Sequence, residues 1–171
     1  AQGIQRGVFE DVSQAAGVIL DESSRLTEVV DGILTLTRMD QMRYQVVPVE
    51  LGIREYIEDQ IERLEGLAYQ KKIKLEFLPG DEHKIISDVM LLGRAFSNVT
   101  SNCIRYAKEM VWISVEENGE QLKITIRDDG PGILEDDLPH LFDRFYKGKN
   151  GNHGLGLSIA GTVLLIIRGA G

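Results

Sequence analysis

The N-terminal part of the chain places apolar side chains at helical spacing. They recur every three or four positions with charged residues between them, at Val8, Val12, Ala15, Ile19, Leu26, Val30, Ile33 and Leu36. This periodicity predicts one long amphipathic helix, which Gly17 and Gly32 weaken only slightly. A single helix cannot bury such a stripe, and the near-heptad spacing favours a dimer or bundle seam. Packing of the helix against its own domain is the alternative.

A change of pattern at Pro48 suggests a boundary between two parts of the chain. We place a helical region at 1–46 and a second domain at 47–171. The second domain opens with apolar residues at helical spacing, which predict a helix over 51–70.

The next stretch predicts a strand and another helix. Lys74–Leu78 has strand character and is stopped by Pro79-Gly80. The helix is expected to begin with Ser87 as its N-cap, with Asp88 in its first turn, and to run to about Lys108.

Two alternating runs then predict a β-hairpin. Their apolar residues are Val111, Ile113 and Val115 in the first run and Leu122, Ile124 and Ile126 in the second. Asn118-Gly119 joins them and is a strong hairpin-turn signal. Because the apolar face of the hairpin must lie on the helices, the predicted fold is an α+β two-layer sandwich with helices on one face of the sheet.

Length and charge narrow the classes of function. The chain has 171 residues, a formal net charge of −8 and one cysteine, Cys103. The acidic balance argues against a nucleic-acid or anionic-membrane surface, since each needs a basic patch. One cysteine cannot form an internal disulfide, so a reducing compartment is the default. The apolar run at 163–167 is too short to span a bilayer, and no signal-peptide pattern opens the chain.

Polar residues share one face of the second predicted helix. Asn98 and Asn102 are four positions apart, and Arg105 and Tyr106 continue the same stripe. Amide oxygens suit Mg2+, a guanidinium suits phosphate oxygens, and a phenol ring offers a flat face to a base. A solvent-exposed helix face is an equally good explanation of this segment alone.

A second cluster follows the hairpin. Asp128 stands where the second strand ends, directly before Asp129 and Gly130-Pro131-Gly132. Glycines there permit a close backbone approach to a ligand, and a carboxylate can accept a hydrogen bond from the exocyclic amine of adenine. Taken alone, an ordinary turn explains these residues better.

A glycine-rich segment forms the third cluster. Glycines at 148, 151, 154 and 156 lead into an apolar helical run from Leu157, and such a loop before a helix N-terminus can bind anions. It is neither a Walker A loop nor a Rossmann fingerprint, and a flexible surface loop is the alternative. Upstream, Phe142 and Phe145 could anchor a lid, and Arg144 and Lys147 could contact phosphate.

In this order the clusters resemble the motifs of bacterial sensor histidine kinases of two-component systems. Phe96–Tyr106 is similar to their N box, Asp128–Gly132 to their G1 box, Leu141–Phe145 to their F box and Gly154–Leu157 to their G2 box. The opening helix resembles the second helix of their dimerisation domain. The resemblance implies the Bergerat-type ATP-binding fold of the GHKL superfamily.

The resemblance also implies residue roles. Asn98 and Asn102 would handle Mg2+ and phosphate, Asp128 would read adenine, and Asn98 and Arg144 would serve catalysis. The full implied nucleotide-binding set is Asn98, Asn102, Arg105, Tyr106, Asp128, Gly130, Gly132, Ile133, Phe145, Lys147, Gly154, Leu155, Gly156 and Leu157.

Parts of the chain depart from the family pattern. Such kinases phosphorylate a histidine on the first dimerisation helix, and none of His83, His140 and His153 has that context. Truncation of a longer protein is the simplest expected cause, with a degenerate kinase as the alternative. After Ala160 the sequence is mostly apolar instead of forming the charged helix, Gly-Gly turn and two closing strands of the family. The glycine-rich loop is also short for an ATP lid.

We therefore expect the ATP-binding catalytic part of a sensor histidine kinase that binds Mg-nucleotide but cannot phosphorylate itself. The alternatives are a nucleotide-binding or scaffold GHKL module without kinase activity, a serine kinase of the anti-sigma type, and a GHKL ATPase. The ATPases carry an acidic residue beside the first asparagine, whereas Phe96 and Ser97 precede Asn98 here.

The expected partners follow from the same interpretation. They are a second copy of the chain through the N-terminal helix, a cognate response regulator, and ATP or ADP. No nucleic-acid or membrane contact is expected. The expected location is cytoplasmic, either alone or as the cytoplasmic portion of a membrane-bound sensor.

Overall fold

The computed structural model describes residues 16–19, 23, 26, 30, 33, 34, 37, 45–118, 121–143, 157 and 160. Within 45–118 and 121–143 the chain forms five strands, two long helices and a 3-10 helix. In chain order they are β1 (Val49–Gly52), α1 (Ile53–Lys71), β2 (Lys74–Phe77), β3 (Lys84–Ser87), α2 (Val89–Tyr106), β4 (Met110–Asn118), β5 (Gln121–Asp128) and a 3-10 helix (Glu135–His140).

The main sheet has three strands in the order β2-β4-β5. β2 runs parallel to β4, with Lys74 opposite Met110, and β4 runs antiparallel to β5, with Asn118 opposite Gln121. The hairpin prediction is therefore confirmed. Because strand side chains alternate between faces, Val111 and Ile113 lie together on one side, and both are fully buried.

The two helices cover that face of the sheet. α1 buries Ile53, Ile57 and Ala68, and α2 buries Phe96 and Ile104 among others. These residues join the inner positions of the sheet in one hydrophobic core. The predicted α+β two-layer sandwich with helices on one face is confirmed, and it agrees with a Bergerat-type fold.

A small second sheet was not predicted. β1 pairs antiparallel with β3, with Val49 opposite Ser87 and Gly52 opposite Lys84. The prediction that α1 begins at position 51 was wrong, because residues 51 and 52 belong to β1 and Gly52 is the N-cap of α1. Of the three strands with four residues, only β2 was predicted, because Pro79-Gly80 marks its end.

The start and end of α2 also differ from the prediction. Ser87 is the last residue of β3, and Asp88 is the N-cap, whose carboxylate accepts a hydrogen bond from the Leu91 amide at 3.0 Å. α2 ends at Tyr106 rather than near Lys108, since Ala107 has ψ 152° and leaves the helix. The pairing of Ser87 into a strand explains the shift at the start.

Outside the domain core, the described N-terminal residues are helical. This holds for 16–19 and for the single positions 23, 26, 30, 33, 34 and 37. Apolar side chains among them are about half exposed: Val18, Ile19, Leu26, Val30, Ile33 and Leu34. The long-helix prediction is confirmed at these positions, whereas the boundary between 1–46 and 47–171 stays a prediction. No helix among the described residues has the length and apolarity to cross a membrane.

Candidate functional site

The polar face of α2 lies next to its buried face. Asn98 and Asn102 are both half-buried and stand one helical turn apart. Arg105 is exposed near the end of the helix, and Tyr106, its last residue, is half-buried. Cys103 points into the core with 8% of its surface exposed. The four predicted polar residues of this helix therefore lie along or beside one stripe that borders the core.

Asp128 ends β5 on the core-facing side of the sheet. The strand alternates, so Ile124, Ile126 and Asp128 share the face that packs on the helices, and Asp128 is paired with the buried Val111. A carboxylate in this position needs hydrogen-bond donors. Its Oδ1 accepts one hydrogen bond from the backbone amide of Gly130 at 2.8 Å.

The buried thiol of Cys103 on α2 is influenced by the charge of Asp128. Burial, followed by the negative charge of Asp128, raises the pKa of Cys103 to about 12. The helix that carries Asn98 and Asn102 packs against the strand that ends at Asp128.

The turn after Asp128 is packed tightly against the end of α2. A Cβ atom on Gly130 would lie 2.4 Å from the carbonyl oxygen of Tyr106 and 2.6 Å from Oδ1 of Asp128. Any other residue at 130 would therefore collide with the backbone of the protein itself. Gly132 has φ +77°, a left-handed conformation that favours glycine. Close contacts therefore require glycine at position 130, and the backbone conformation favours glycine at position 132.

Asp129 anchors the same turn, a role that the sequence did not predict. Its carboxylate accepts hydrogen bonds from the backbone amides of Lys108, Glu109 and Met110 over 2.8–3.3 Å. Burial raises the pKa of Asp129, but the amide hydrogen bonds together outweigh that effect and hold it below 3.8. The only sequence signal for this role was a second carboxylate at a Gly-containing turn.

Downstream of the turn the chain presents apolar side chains to solvent. Ile133, Leu134, Leu138 and Phe142 are each about half exposed around the 3-10 helix. His140 Nδ1 lies 2.8 Å from Asp143 Oδ2. Leu157 is helical and half-buried, and Ala160 is buried. The predicted site residues Arg144, Phe145, Lys147, Gly154, Leu155 and Gly156 lie outside the described residues.

Two open depressions elsewhere contain none of the predicted site residues. They have volumes of about 460 and 610 Å³ and share Tyr69 and Ile73 at the C-terminal end of α1. We favour the junction of α2 with the end of β5 as the site, because the polar side chains converge there. Among the described residues, no group of three or more His, Cys, Asp or Glu side chains could hold a metal ion.

Comparisons with known proteins show which family the chain is similar to. Residues 87–169 match the family model described as histidine kinase-, DNA gyrase B-, and HSP90-like ATPase. Sensor histidine kinase CssS of Bacillus subtilis (strain 168) is 32% identical, over 96% of this chain and 37% of its own length. Signal transduction histidine-protein kinase AfsQ2 of Streptomyces coelicolor is 30% identical, over 87% of this chain and 28% of its own.

Solved structures show the same fold. The Acinetobacter baumannii histidine kinase AdeS superimposes with a TM-score of 0.74 at 24% identity, covering 96% of this chain and 79% of that one. The mycobacterial sensor histidine kinase MprB gives a TM-score of 0.63 at 26% identity, covering 71% and 81%. The chain thus spans less than two fifths of the two curated relatives but most of the solved domains.

Proposed function

Because the chain belongs to the sensor histidine kinases and carries their ATP-binding catalytic domain, we propose that the protein transfers the γ-phosphoryl group of ATP to a histidine of its own dimerisation domain. The position of Asp128 supports this most directly. Its carboxylate stands at the core-facing end of β5, beside the C-terminal half of α2, and accepts a hydrogen bond from the Gly130 amide. An acceptor held in this way can take a hydrogen bond from the exocyclic amine of adenine.

The amides of α2 fit a magnesium ion. Asn98 and Asn102 offer oxygen ligands one turn apart on a half-buried face, and Mg2+ prefers oxygen ligands together with retained waters. When bound, the ion would neutralise charge on the phosphates. We propose that both asparagines hold the metal and the triphosphate, and that Asn98 contributes to catalysis by fixing the γ-phosphate for attack.

Residues at the end of α2 and in the following turn would complete the nucleotide contacts. Arg105 is exposed and can reach phosphate oxygens, whereas Tyr106 can present its ring to the base. Gly130, Gly132 and Ile133 would form the floor under the adenine, since the turn that contains them follows Asp128 directly.

Residues after 143 are included in the proposal because they lie in the sequence motifs that resemble the F and G2 boxes. Arg144 would stabilise charge on the transferring phosphoryl group, and Lys147 would contact phosphate. Phe145 would anchor the lid. Four further residues would line the triphosphate at the helix N-terminus: Gly154, Leu155, Gly156 and Leu157.

The phosphate acceptor is proposed to lie outside this chain. His83 is half-buried before β3, and its backbone carbonyl accepts a hydrogen bond from the Ile53 amide at 2.9 Å, while His140 is bonded to Asp143. We propose that neither they nor His153 is the acceptor and that the chain alone does not phosphorylate itself. The intact protein would pass the phosphoryl group to a response regulator in the cytoplasm.

Calorimetric titration with ADP and a non-hydrolysable ATP analogue, each with and without Mg2+, tests the site. We expect saturable binding that Mg2+ strengthens for the ATP analogue. Asp128→Asn should weaken adenine nucleotide binding by about 1.5–3 kcal/mol, the value of a hydrogen bond to a charged group. Asp59→Asn, the same chemical change on the exposed side of α1, is the matched control and should have no effect.

The outcomes separate the binding proposal from the transfer proposal. A folded Asp128→Asn variant with unchanged affinity would remove Asp128 from the site. Incubation with γ-labelled ATP should leave no acid-labile label on this chain. Label in a histidine-type linkage on His83, His140 or His153 would contradict the assignment of the acceptor to a region outside it.

A further inference from the structure

The outer edge of β2 has no strand partner within the residues that the structure describes. β2 stands at one end of the main sheet, next to β4. The amides of Lys74 and Leu78 donate toward β4, each 2.8 Å from its acceptor carbonyl oxygen. Because successive peptide groups of a strand point to opposite sides, the backbone of Leu75 and Phe77 faces the outer edge. Such an edge is a template for pairing with another strand.

The side chains of β2 are divided between its two faces. Leu75 and Phe77 pack against the hydrophobic core under the helices, so Lys74 and Glu76 lie on the opposite face. The side chains of Lys74 and Glu76 are 70% and 41% exposed, and Lys74 Nζ lies 3.9 Å from Glu76 Oε2. The strand therefore alternates charged and apolar side chains, with one cation and one anion on its accessible face.

This alternation is self-complementary when two β2 strands run antiparallel. If Leu75 of one copy lies opposite Leu75 of another, Lys74 of each copy faces Glu76 of the other, and a two-fold axis relates the two ion pairs. A register with Leu75 opposite Phe77 would instead place Glu76 opposite Glu76, and like charges directly opposite each other are destabilising. The charges thus select one register, and a second copy of the chain is the partner that fits it.

An open depression lies beside the same edge on the helix-facing side of β2. It has a volume of about 460 Å³, and its lining includes Ala68, Tyr69, Ile73 and Leu75. Tyr69 at the end of α1 is 85% exposed. In the selected register, Leu75 of the second copy points to this side and would cover the depression. Removal of this apolar surface from water would add to the backbone pairing.

We propose that two copies of the chain join their main sheets by antiparallel pairing of their β2 edges, with Leu75 opposite Leu75. β2 and β5 stand at opposite ends of the sheet, so the pairing leaves the proposed nucleotide site accessible. A pair of four-residue strands buries less than the about 1,200 Å² of a stable complex. The contact is therefore weak, is not populated in dilute solution, and adds to any dimer that the N-terminal helix forms.

Sedimentation equilibrium over a series of protein concentrations tests the pairing. For the 171-residue chain we expect the average mass to rise at high concentration. Glu76→Lys would place lysine opposite lysine, and Lys74→Glu would place glutamate opposite glutamate. Either substitution should lower the association constant about tenfold. The double variant with both substitutions restores opposite charges across the edge and should associate like the parent chain.

The single variants control for net charge, because they change it in opposite directions. A loss of association in both therefore cannot come from general repulsion. Glu135→Lys is the matched control for Glu76→Lys, since it makes the same change at an exposed position of the 3-10 helix. It should associate at least as strongly as the parent chain. Binding of ADP shows that the variants are folded.

Disulfide formation tests the register. Lys74 and Glu76 of the two copies would form a non-hydrogen-bonded pair with Cα atoms about 4.5 Å apart, a separation that a disulfide can span. Chains with Lys74→Cys and chains with Glu76→Cys should cross-link when mixed, and neither should cross-link alone. The native Cys103 is buried, with 8% of its surface exposed, which keeps background cross-linking low.

The outcomes separate the β2 edge from other surfaces. Loss of association in both single variants, recovery in the double variant and cross-linking only in the mixture support the proposal. Association that is equal in all variants, or that follows net charge, overturns it, as does a parent chain whose mass is independent of concentration. Cross-linking of Glu76→Cys chains alone would overturn the register centred on Leu75. If a single variant does not fold, the disulfide test decides.

Discussion

At the residue scale, two carboxylates stabilise the fold by binding backbone amides. Glu82 accepts hydrogen bonds from the amides of Arg54, Glu55 and His83 at 2.9–3.1 Å, the first two at the start of α1. Asp129 does the same at the start of β4. The first amides of a helix have no partner within it and carry partial positive charge, so an anion there is favourable. Arg54 and Glu55 lie 28 and 27 positions from Glu82, and the three amides that Asp129 binds lie 19 to 21 positions from it.

The Glu82 contacts predict a pH-dependent contribution to stability. The hydrogen bond from the Arg54 amide, together with those from the Glu55 and His83 amides, outweighs the opposing effect of burial and holds the pKa of Glu82 below 4.5 in the folded chain. A depressed pKa stabilises the fold above the unfolded value, and this contribution disappears as pH falls through the folded value. Glu82→Gln should therefore cost about 0.3–1 kcal/mol at pH 7 and progressively less toward pH 3.

Urea unfolding at pH 7, 5 and 3 measures this difference. Glu62→Gln is the matched control, because Glu62 is exposed on the middle of α1 and should show little effect at any pH. A Glu82→Gln difference that stays constant over the whole range would show that the charge of Glu82 plays no part.

The sequence could predict Asp128 but not Asp129 or Glu82. Asp128 continues a strand alternation that is visible in the order of residues, so its face and its strand-end position follow from periodicity. The amides that Asp129 and Glu82 bind belong to every residue type and leave no compositional signal. Only the folded backbone brings them to the carboxylates.

At the scale of elements, α2 contains one unsatisfied polar group in its buried face. Thr100 is fully buried, and its Oγ1 has no hydrogen-bond partner among the described residues. An unsatisfied buried hydroxyl is costly, whereas an apolar group of the same shape is not. Thr100→Val should therefore stabilise the chain by about 1 kcal/mol.

Thermal and urea unfolding of two variants test this. Thr100→Ala removes the methyl group as well and should destabilise the chain by leaving a cavity. Nucleotide affinity should be unchanged in Thr100→Val, since the side chain faces the core rather than the site. Destabilisation by valine would mean that the hydroxyl has a partner in solution.

The long elements were predictable, and so was the short strand β2, but the short strands β1 and β3 were not. α1, α2 and the β4–β5 hairpin show their periodicity over many residues, which is why their existence followed from the sequence. β1 and β3 have four residues each and pair across an intervening helix and strand. Their pairing decided where α1 and α2 begin, so the missed strands and the misplaced helix starts have one cause.

At the scale of the whole molecule, the residues just before β1 are held against the N-terminus of α2, the helix that carries the proposed nucleotide contacts. The backbone amide of Val47 donates to Asp88 Oδ2 at 2.9 Å, while Oδ1 of the same carboxylate caps α2. Asp88 is 97% buried, with 3% of its surface exposed. One buried side chain thus links the backbone at Val47 to the N-terminus of α2.

The half-exposed apolar stripe of the N-terminal helix predicts a dimer. Leu26, Val30 and Ile33 are 58%, 53% and 41% exposed, and their spacing follows a heptad seam. Such a surface is stabilised by pairing with a second copy.

Leu26→Lys should abolish the dimer, because it places a charge in the seam. Glu28→Gln is the matched control, because it also changes the net charge by +1. At about 100° per residue, position 28 lies on the opposite side of the predicted helix from position 26. Sedimentation velocity should find monomers for Leu26→Lys and dimers for Glu28→Gln and for the parent chain. The net charge of −8 on the parent chain opposes association. Since both substitutions reduce the net negative charge equally, a monomer in Leu26→Lys alone would place position 26 in the interface. Dimers in all three proteins would mean that the interface lies on another surface. ATP-analogue binding should persist in every variant, because the proposed site lies within one copy.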